Sequence, residues 1–197
     1  MFAVVGILMV LSVSALAIDA VYATNRISDG RHWGQGSLSR EFVTIVDNTD
    51  SKWPVYAAAL KWDEAPKIDV VYKYGTCSGS YGHCVGVGVI SASQYPYGGC
   101  LDSGGYAVVS PYSSSNNHIN PDESFIRFNG DCGRDAFTNR DRRALACEEE
   151  GHMIGLDHAN YDLYSSTCMA SGPITRLKET PRQHDFDLVD SIYTHGH

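Results

Sequence analysis

The segment CEEEGHMIGLDH, residues 147–158, restricts the fold of this chain of 197 residues more than any other part of the sequence. Residues four positions apart lie on the same face of a helix, so the side chains of Glu148 and His152 can approach one point. Gly155 permits a sharp left-handed turn because it has no Cβ, and that turn can bring His158 back to the same point. The segment therefore predicts a helix, a glycine bend and a returning histidine that meet in space.

One carboxylate and two imidazoles at this spacing predict a metal site. Zinc accepts both kinds of ligand, and three protein ligands with an open fourth position are typical of a catalytic zinc site. Glu148 would cancel one unit of the ion's charge, so we expect a weaker Lewis acid than three neutral imidazoles would give. Glu149 points about a quarter turn away, and Glu150 faces elsewhere. The alternative interpretation is a solvated run of three glutamates beside an incidental histidine.

Composition and charge restrict the domain count and the partners. An apolar fraction of 43% in a chain of this length is ordinary for one globular domain and argues against disorder. The formal net charge of −8 leaves no basic stripe to neutralise phosphates, so we expect no nucleic-acid partner. Peptides, sugars and small molecules remain as partners. A structural Ca²⁺ site has no support, because the sequence contains no Asp-x-Asp-x-Asp-Gly loop.

The first apolar run, MFAVVGILMVLSVSALA, predicts a secretory signal peptide over residues 1–23. A membrane span needs about 20 apolar residues, and this run is shorter. Ala15 and Ala17, or Val21 and Ala23, satisfy the cleavage-site rule, although no Lys or Arg precedes the run. We therefore expect a secreted, extracellular protein with no membrane contact after cleavage. An uncleaved anchor and a buried N-terminal helix are the alternatives.

The rest of the chain predicts a single α+β domain. Residues 24–40 are polar and contain glycine, and we expect a loose N-terminal arm there. In the domain, residues 41–197, strands are predicted where β-branched and aromatic residues are enriched, and helices where apolar residues recur at helical spacing. The predicted strands are 41–48, 68–74, 83–91, 105–112 and 124–130. The predicted helices are 51–65, the segment from the cap Thr138 to the stop at Gly155, and 181–195, with a loop over 159–180.

Six cysteines in an exported chain predict disulfide bonds. Six cysteines allow fifteen connectivities. The turn-rich sequence SGSYGH lies between Cys77 and Cys84, so proximity favours a bridge between them. The sequence has no zinc-finger spacing, and structural bridges are therefore the preferred interpretation for all six cysteines.

The segment with the three candidate ligands resembles the metzincin metallopeptidases, and within them the matrixin-like secreted proteins of bacteria. Glu149, His152, Gly155 and His158 match the family motif, and Leu156 falls where the family usually has leucine. Glu148, the residue before Glu149, stands where the motif has its first histidine. The resemblance therefore covers the motif with one substituted ligand.

A second similarity follows the motif. Eleven residues after His158, Met169 in TCMASGP is similar to the methionine turn that lies under the metal in metzincins. The likeness extends over about residues 41–195, and its specific part is 147–173. It implies a metzincin-like catalytic domain: a twisted, mostly parallel sheet with an edge strand, an active-site helix and a C-terminal helix.

The resemblance also implies a zinc-dependent metalloendopeptidase. Glu148, His152 and His158 would bind one Zn²⁺, Glu149 would act as general acid and base, and Met169 would pack beneath the ion without direct chemistry. We expect a monomer that cleaves peptide or protein substrates held against an edge strand. Metal affinity and turnover are the properties that the replacement of histidine by Glu148 bears on. The alternative is therefore a secreted binding protein with the same fold and weakened catalysis.

The resemblance finally implies a second disulfide bond. Cys147 immediately precedes the first ligand, and Cys168 immediately precedes the turn methionine. If the turn lies beneath the helix, these cysteines come close, and a bridge would add roughly a few kcal/mol by loop closure. Cys100 and Cys132 would then remain as the third pair. A zinc-binding cysteine switch is the alternative, but the sequence lacks its prodomain motif.

Overall fold

The computed structural model describes residues 27, 30–34, 40–50, 52–79, 82–96, 104–111, 117–131, 136–159 and 167–194. The expected signal peptide and the expected Cys100–Cys132 bridge lie outside these residues. Within the described parts of the chain, no helix is long and apolar enough to span a membrane.

Five described strands form one sheet, and four of them are parallel. The order across the sheet is β2-β1-β3-β5-β4, with β4 antiparallel to β5 at one end. The strands are β1 (Glu41–Asp47), β2 (Ile68–Tyr74), β3 (His83–Ile90), β4 (Gly105–Val108) and β5 (Phe125–Asn129). In β1, which pairs on both sides, Ile45 lies opposite Tyr72 and Val85. The predicted α+β class and the mostly parallel sheet with an edge strand are confirmed.

Three described α-helices accompany the sheet: α1 (Val55–Trp62), α2 (Asn139–Met153) and α3 (Gln183–Ile192). Helix α2 begins as predicted, because the Thr138 hydroxyl accepts a hydrogen bond from the Asp141 amide and the Asp141 carboxylate accepts one from the Thr138 amide. Short 3₁₀ helices occupy Ala92–Gln94 and Ile174–Arg176, the second within the predicted loop.

Several predicted elements are shorter in the structure, and proline explains the late start of α1 and the early end of β4. Helix α1 starts after Pro54, which has no amide proton to donate and suits the entry to a helix better than its interior. Strand β4 ends at Val108 instead of extending to residue 112. The amide of Ser110 donates to the Ser124 side chain, and the next residue, Pro111, cannot donate to a ladder.

The core lies between the sheet and helices α1 and α2. Trp62 of α1 is fully buried, and its indole Nε1 donates to the Cys147 carbonyl of α2 over 2.9 Å. Trp53 stacks on Phe128 of β5 with ring centroids 4.2 Å apart. Burial of side chains this large contributes about 1.5–3 kcal/mol each. The Trp62 contact fixes α2 against α1, so the side chains on the other face of α2 have a rigid base.

Part of the expected loose arm is packed into the domain. Trp33 is fully buried, its indole Nε1 donates to the Met153 carbonyl over 2.7 Å, and its ring stacks on His83 at 4.7 Å. Residue His32 forms an isolated parallel bridge with His118. Polar composition suggested a loose arm, but one indole with a large apolar surface and a hydrogen-bonded Nε1 is enough to order residues 30–34.

Candidate metal centre

Helix α2 and the turn after it bring the three candidate ligands together. Glu148 and His152 lie one turn apart on α2. The backbone then turns at Gly155, which has a φ of +94°, a conformation that residues with a Cβ rarely adopt. His158 returns to place its Nε2 3.0 Å from Glu148 Oε1 and 3.2 Å from His152 Nε2. One donor atom from each residue lies within 4.8 Å of the other two.

These separations suit a shared divalent ion. With metal–ligand bonds of about 2.0–2.1 Å, two ligand atoms lie about 3.3 Å apart in a tetrahedral site and about 2.9 Å apart when adjacent in an octahedral site. The observed 3.0 and 3.2 Å fall in that interval. The donor set of one carboxylate and two imidazoles, placed on one triangular face, therefore fits zinc.

The protonation state of His152 is set by a backbone carbonyl. His152 Nδ1 lies 2.8 Å from the carbonyl oxygen of Leu156. A carbonyl oxygen can only accept, so Nδ1 carries the proton and donates it, which leaves Nε2 with a lone pair directed at the other two ligands. Burial, and then the charge of His158, lowers the pKa of His152, which favours the neutral imidazole that a metal requires.

The pKa of His158 is shifted in the opposite direction from that of His152. Its side chain is 44% exposed, and the hydrogen bond to Glu148 raises the pKa of His158 in spite of its partial burial. The turn is held locally, because the His158 amide donates to Asp157 Oδ1 over 2.7 Å. A metal ion and a proton therefore compete for the same imidazole nitrogen, and ion binding at this centre should release a proton.

Glu149 lies beside the ligands in a different environment. It is 5% exposed, and its carboxylate accepts a hydrogen bond from the amide of Ala107 in β4. Burial, followed by the charge of Glu148, raises the pKa of Glu149 well above its usual range. The carboxyl group is thus fixed between the ligand helix and the edge strand, with an increased affinity for a proton.

The ligands and Glu149 open onto one cleft of about 500 Å³. Strand β4 and the residue before it form one wall, α2 forms another, and His158 and the segment after Met169 contribute the rest. The lining residues are Gly104, Gly105, Tyr106, Ala107, Leu145, Glu148, Glu149, His152, His158, Gly172 and Ile174. The cleft therefore combines a charged centre with apolar and glycine-rich walls beside an edge strand.

Met169 packs beneath the ligand helix. It is fully buried, and a Cβ at Gly151, the residue before ligand His152, would lie 2.2 Å from Met169 Sδ and 2.8 Å from a carbon of Trp62. Only glycine permits that close approach at this point of α2. The sequence predicted a methionine turn but not the glycine that accommodates it.

Two of the three expected disulfide bonds involve described residues, and both are formed. Cys147 and Cys168 are fully buried and join α2 to the turn before Met169, with Cα atoms 5.9 Å apart. Cys77, in the connection between β2 and β3, is bonded to Cys84, the second residue of β3. The first bridge links the helix that carries the ligands to the methionine beneath them.

The interpretation of residues 148–150 as a solvated run is wrong. Glu149 is 5% exposed and Glu150 is 1% exposed, and Glu150 has no hydrogen-bond partner for either carboxyl oxygen among the described residues. Burial, and then the charge of Asp47, raises the pKa of Glu150 well above its usual range. Sequence analysis also missed the Leu156 carbonyl and the Ala107 amide, since backbone groups leave no signal in the sequence.

Comparison with known proteins gives matches among solved structures. The sequence matches no protein-family model and no curated protein. A solved structure of high choriolytic enzyme 1, a hatching enzyme zinc-protease from the medaka fish Oryzias latipes, matches at 11% identity and a TM-score of 0.48, over 87% of this chain and 98% of that one. The chain is similar to a zinc-protease structure.

Two structures of myroilysin also match. One matches at 12% identity and a TM-score of 0.47, over 81% of this chain and 82% of that one. The other matches at 11% identity and a TM-score of 0.46, over 91% and 97%. At such identities and TM-scores the likeness is one of backbone outline, so the chemistry of this centre follows from its own residues.

Proposed function

We propose that this protein is a secreted, zinc-dependent metalloendopeptidase. The observation that carries the proposal is the convergence of Glu148, His152 and His158, with the Leu156 carbonyl holding His152 in the tautomer that binds metal. In a charge cluster that binds no metal, nothing would require the lone pair of His152 to lie on Nε2, facing the other two side chains. The disulfide bonds support export, because such bonds form and persist in oxidising compartments.

Glu148, His152 and His158 would hold the ion, and their arrangement on one triangular face leaves the cleft side open. A bound Zn²⁺ supplies Lewis-acid polarisation of the scissile carbonyl and makes a water molecule more acidic. Glu148 brings a negative charge that reduces this effect relative to a third imidazole. The bound ion would therefore be a weaker Lewis acid, and one unit of its charge would be neutralised by Glu148.

Glu149 would move the protons. Its carboxylate, buried beside the ligands, accepts the proton of the attacking water and delivers it to the leaving amine. Its raised pKa suits both steps, since a stronger base takes the first proton more readily and the acid form persists long enough to donate. The amide of Ala107 fixes the carboxylate during the exchange.

A peptide substrate would lie extended along β4, adding a strand at the end of the sheet. Within the described residues, β4 pairs with β5 and no strand pairs on its outer side. Gly104 to Ala107 line the cleft next to the centre. A substrate held along this wall would have its scissile bond between the ligands and Glu149.

The proposal is tested with the mature protein. Elemental analysis should find about one zinc per chain, in keeping with a three-ligand site, and a quenched peptide library should be cleaved without chelator and left intact with it. Glu149→Gln should abolish cleavage while zinc stays bound, because Glu149 is not a ligand. Glu123→Gln, at an exposed glutamate away from the cleft, is the matched control and should cleave normally. Unchanged turnover of Glu149→Gln would refute the mechanism.

A second candidate is a secreted binding protein with weakened catalysis. The specific observation in its favour is the contact of Glu148 with His158, which raises the pKa of His158 and so makes a proton a stronger competitor for the metal ion. Purified protein that lacks zinc and shows no chelator-sensitive cleavage would favour this candidate over the peptidase.

A further inference from the structure

The C-terminal end of helix α2 is completed by residues far away in sequence. The last carbonyls of a helix have no partner within it. The Met153 carbonyl accepts a hydrogen bond from Trp33 Nε1 at 2.7 Å, and the Ile154 carbonyl accepts one from the Tyr193 hydroxyl at 3.2 Å. The sequence separations are 120 and 39 residues. Neither donor belongs to the cleft.

The arm also contacts the next residue of the turn. The amide of Ile27 donates to the Gly155 carbonyl over 3.1 Å. The Arg31 carbonyl passes so close to Gly155 that a Cβ there would lie 2.7 Å from the Arg31 oxygen. The Trp33 amide donates to the Tyr193 hydroxyl over 3.3 Å. Three successive carbonyls of the turn are therefore satisfied from outside α2.

The turn that these contacts fix is the one that shapes the metal centre. Leu156, whose carbonyl sets the His152 tautomer, follows Gly155 directly, and His158 lies two residues further along. A release of the arm would leave the buried carbonyls of Met153 and Gly155 without these partners, and the turn would then shift to reach water. The Leu156 carbonyl and the His158 imidazole would move with it.

We propose that the docked arm, residues 27–34 as far as they are described, acts as a positioning element for the metal centre, with Trp33 as its principal residue. This inference rests on the proposed function, because it requires that the centre binds zinc. The described residues of the arm do not line the cleft, and the contacts given above reach the centre through the turn. Arm docking and metal binding are then coupled, and each must strengthen the other by the same factor.

The test compares two tryptophan variants. Trp33→Phe keeps an aromatic ring but removes the donor to the Met153 carbonyl. Trp53→Phe is the matched control, since Trp53 is also buried but stacks on Phe128, away from the end of α2. Zinc affinity is measured by competition with a chromophoric chelator, on protein shown to be folded by circular dichroism. Trp33→Phe should bind Zn²⁺ on the order of tenfold more weakly, while Trp53→Phe should match the wild type.

Two further readouts separate a positioning role from a structural one. Co²⁺ bound to Trp33→Phe should show an altered visible absorption band, because ligand geometry has changed, and the Trp53→Phe band should be that of the wild type. By reciprocity, Zn²⁺ should slow hydrogen exchange at the amides of residues 30–34. Tyr193→Phe removes the donor to the Ile154 carbonyl and should also weaken Zn²⁺ binding, which keeps the test open if Trp33→Phe does not fold.

The outcomes are distinguishable. Wild-type zinc affinity in both Trp33→Phe and Tyr193→Phe would overturn the role of the arm and leave the proposed peptidase standing. Failure of the wild type to bind Zn²⁺ at all would overturn the proposed function, and the positioning role would fall with it. Weaker binding in Trp33→Phe with an unchanged Trp53→Phe control would support the inference.

Discussion

The bridge between Cys147 and Cys168 should stabilise the fold and the metal centre at once. It closes a loop with a sequence separation of 21, while the Cys77–Cys84 bridge closes one of 7. Loop-closure entropy then gives about 3 kcal/mol for the first bridge and about 2 kcal/mol for the second. The first pair is fully buried and Cys77 is exposed, so packing losses widen the difference.

The variants are the double replacements Cys147→Ala with Cys168→Ala, and Cys77→Ala with Cys84→Ala. Urea unfolding in a chelating buffer should show losses of about 3 and about 2 kcal/mol in the free energy of unfolding. Zinc at 100 times its dissociation constant adds about 2.7 kcal/mol to a protein that binds it in the native state. A tenfold weaker site at the same zinc concentration would gain only about 1.4 kcal/mol.

Only the first double variant should show that smaller gain, because its bridge joins the residue before ligand Glu148 to the residue before Met169. The second bridge lies between β2 and β3, away from the centre. Equal gains from zinc in both double variants would refute the reasoning that the buried bridge holds the ligand geometry. A larger loss for the Cys77–Cys84 pair would refute the loop-length estimate.

Three other predictions concern single residues. Glu148→His should bind zinc more tightly and cleave peptides at least as fast, as measured by chelator competition and turnover; a sharp loss would show that the site depends on the carboxylate. Gly151→Ala should lower the free energy of unfolding by about 1–3 kcal/mol in urea, because its methyl group would lie 2.2 Å from the buried methionine sulfur. Gly86→Ala, where a Cβ would meet nothing within 4 Å, is the control without that cost. Burial lowers the pKa of His83, but the hydrogen bonds to Glu41 and to a backbone carbonyl outweigh it and raise the pKa above 6.5. The contribution of protonated His83 to stability is therefore complete below pH 6.5 and is lost as pH rises through the folded-state pKa. The difference in free energy of unfolding between the wild type and His83→Gln, measured in urea, should shrink over that range. A difference that grows with pH would contradict the assignment.

The parts of this structure that depend on short sequence distances were predictable. The cap formed by Thr138 and Asp141 involves neighbours three positions apart, and helical geometry settles it. The meeting of Glu148, His152 and His158 spans eleven residues, so one helical turn and one glycine bend were enough to foresee it. Strand positions followed from enrichment in β-branched residues, since each strand is a local pattern.

The parts that depend on distant contacts were not predictable. Nothing near Trp33 in the sequence indicates that its indole will reach the Met153 carbonyl 120 residues away. Glu150 has the composition of a surface residue, and its burial results from how α2 packs onto the sheet. The Ala107 amide that holds Glu149 belongs to a strand whose position is set by the whole sheet. Local rules fix the ligands, whereas tertiary packing fixes their surroundings.

The ligand side chains project into the cleft, while the residues that hold the helix in place are buried beneath it. A replacement at position 148 therefore alters the chemistry of the ion without removing any side chain from the hydrophobic interior. A change at position 148 should therefore affect reactivity more than stability, whereas loss of a buried support such as the Cys147–Cys168 bridge should affect both. Under the proposed function, a substitution at position 148 that lowers activity would therefore leave a chain that still folds.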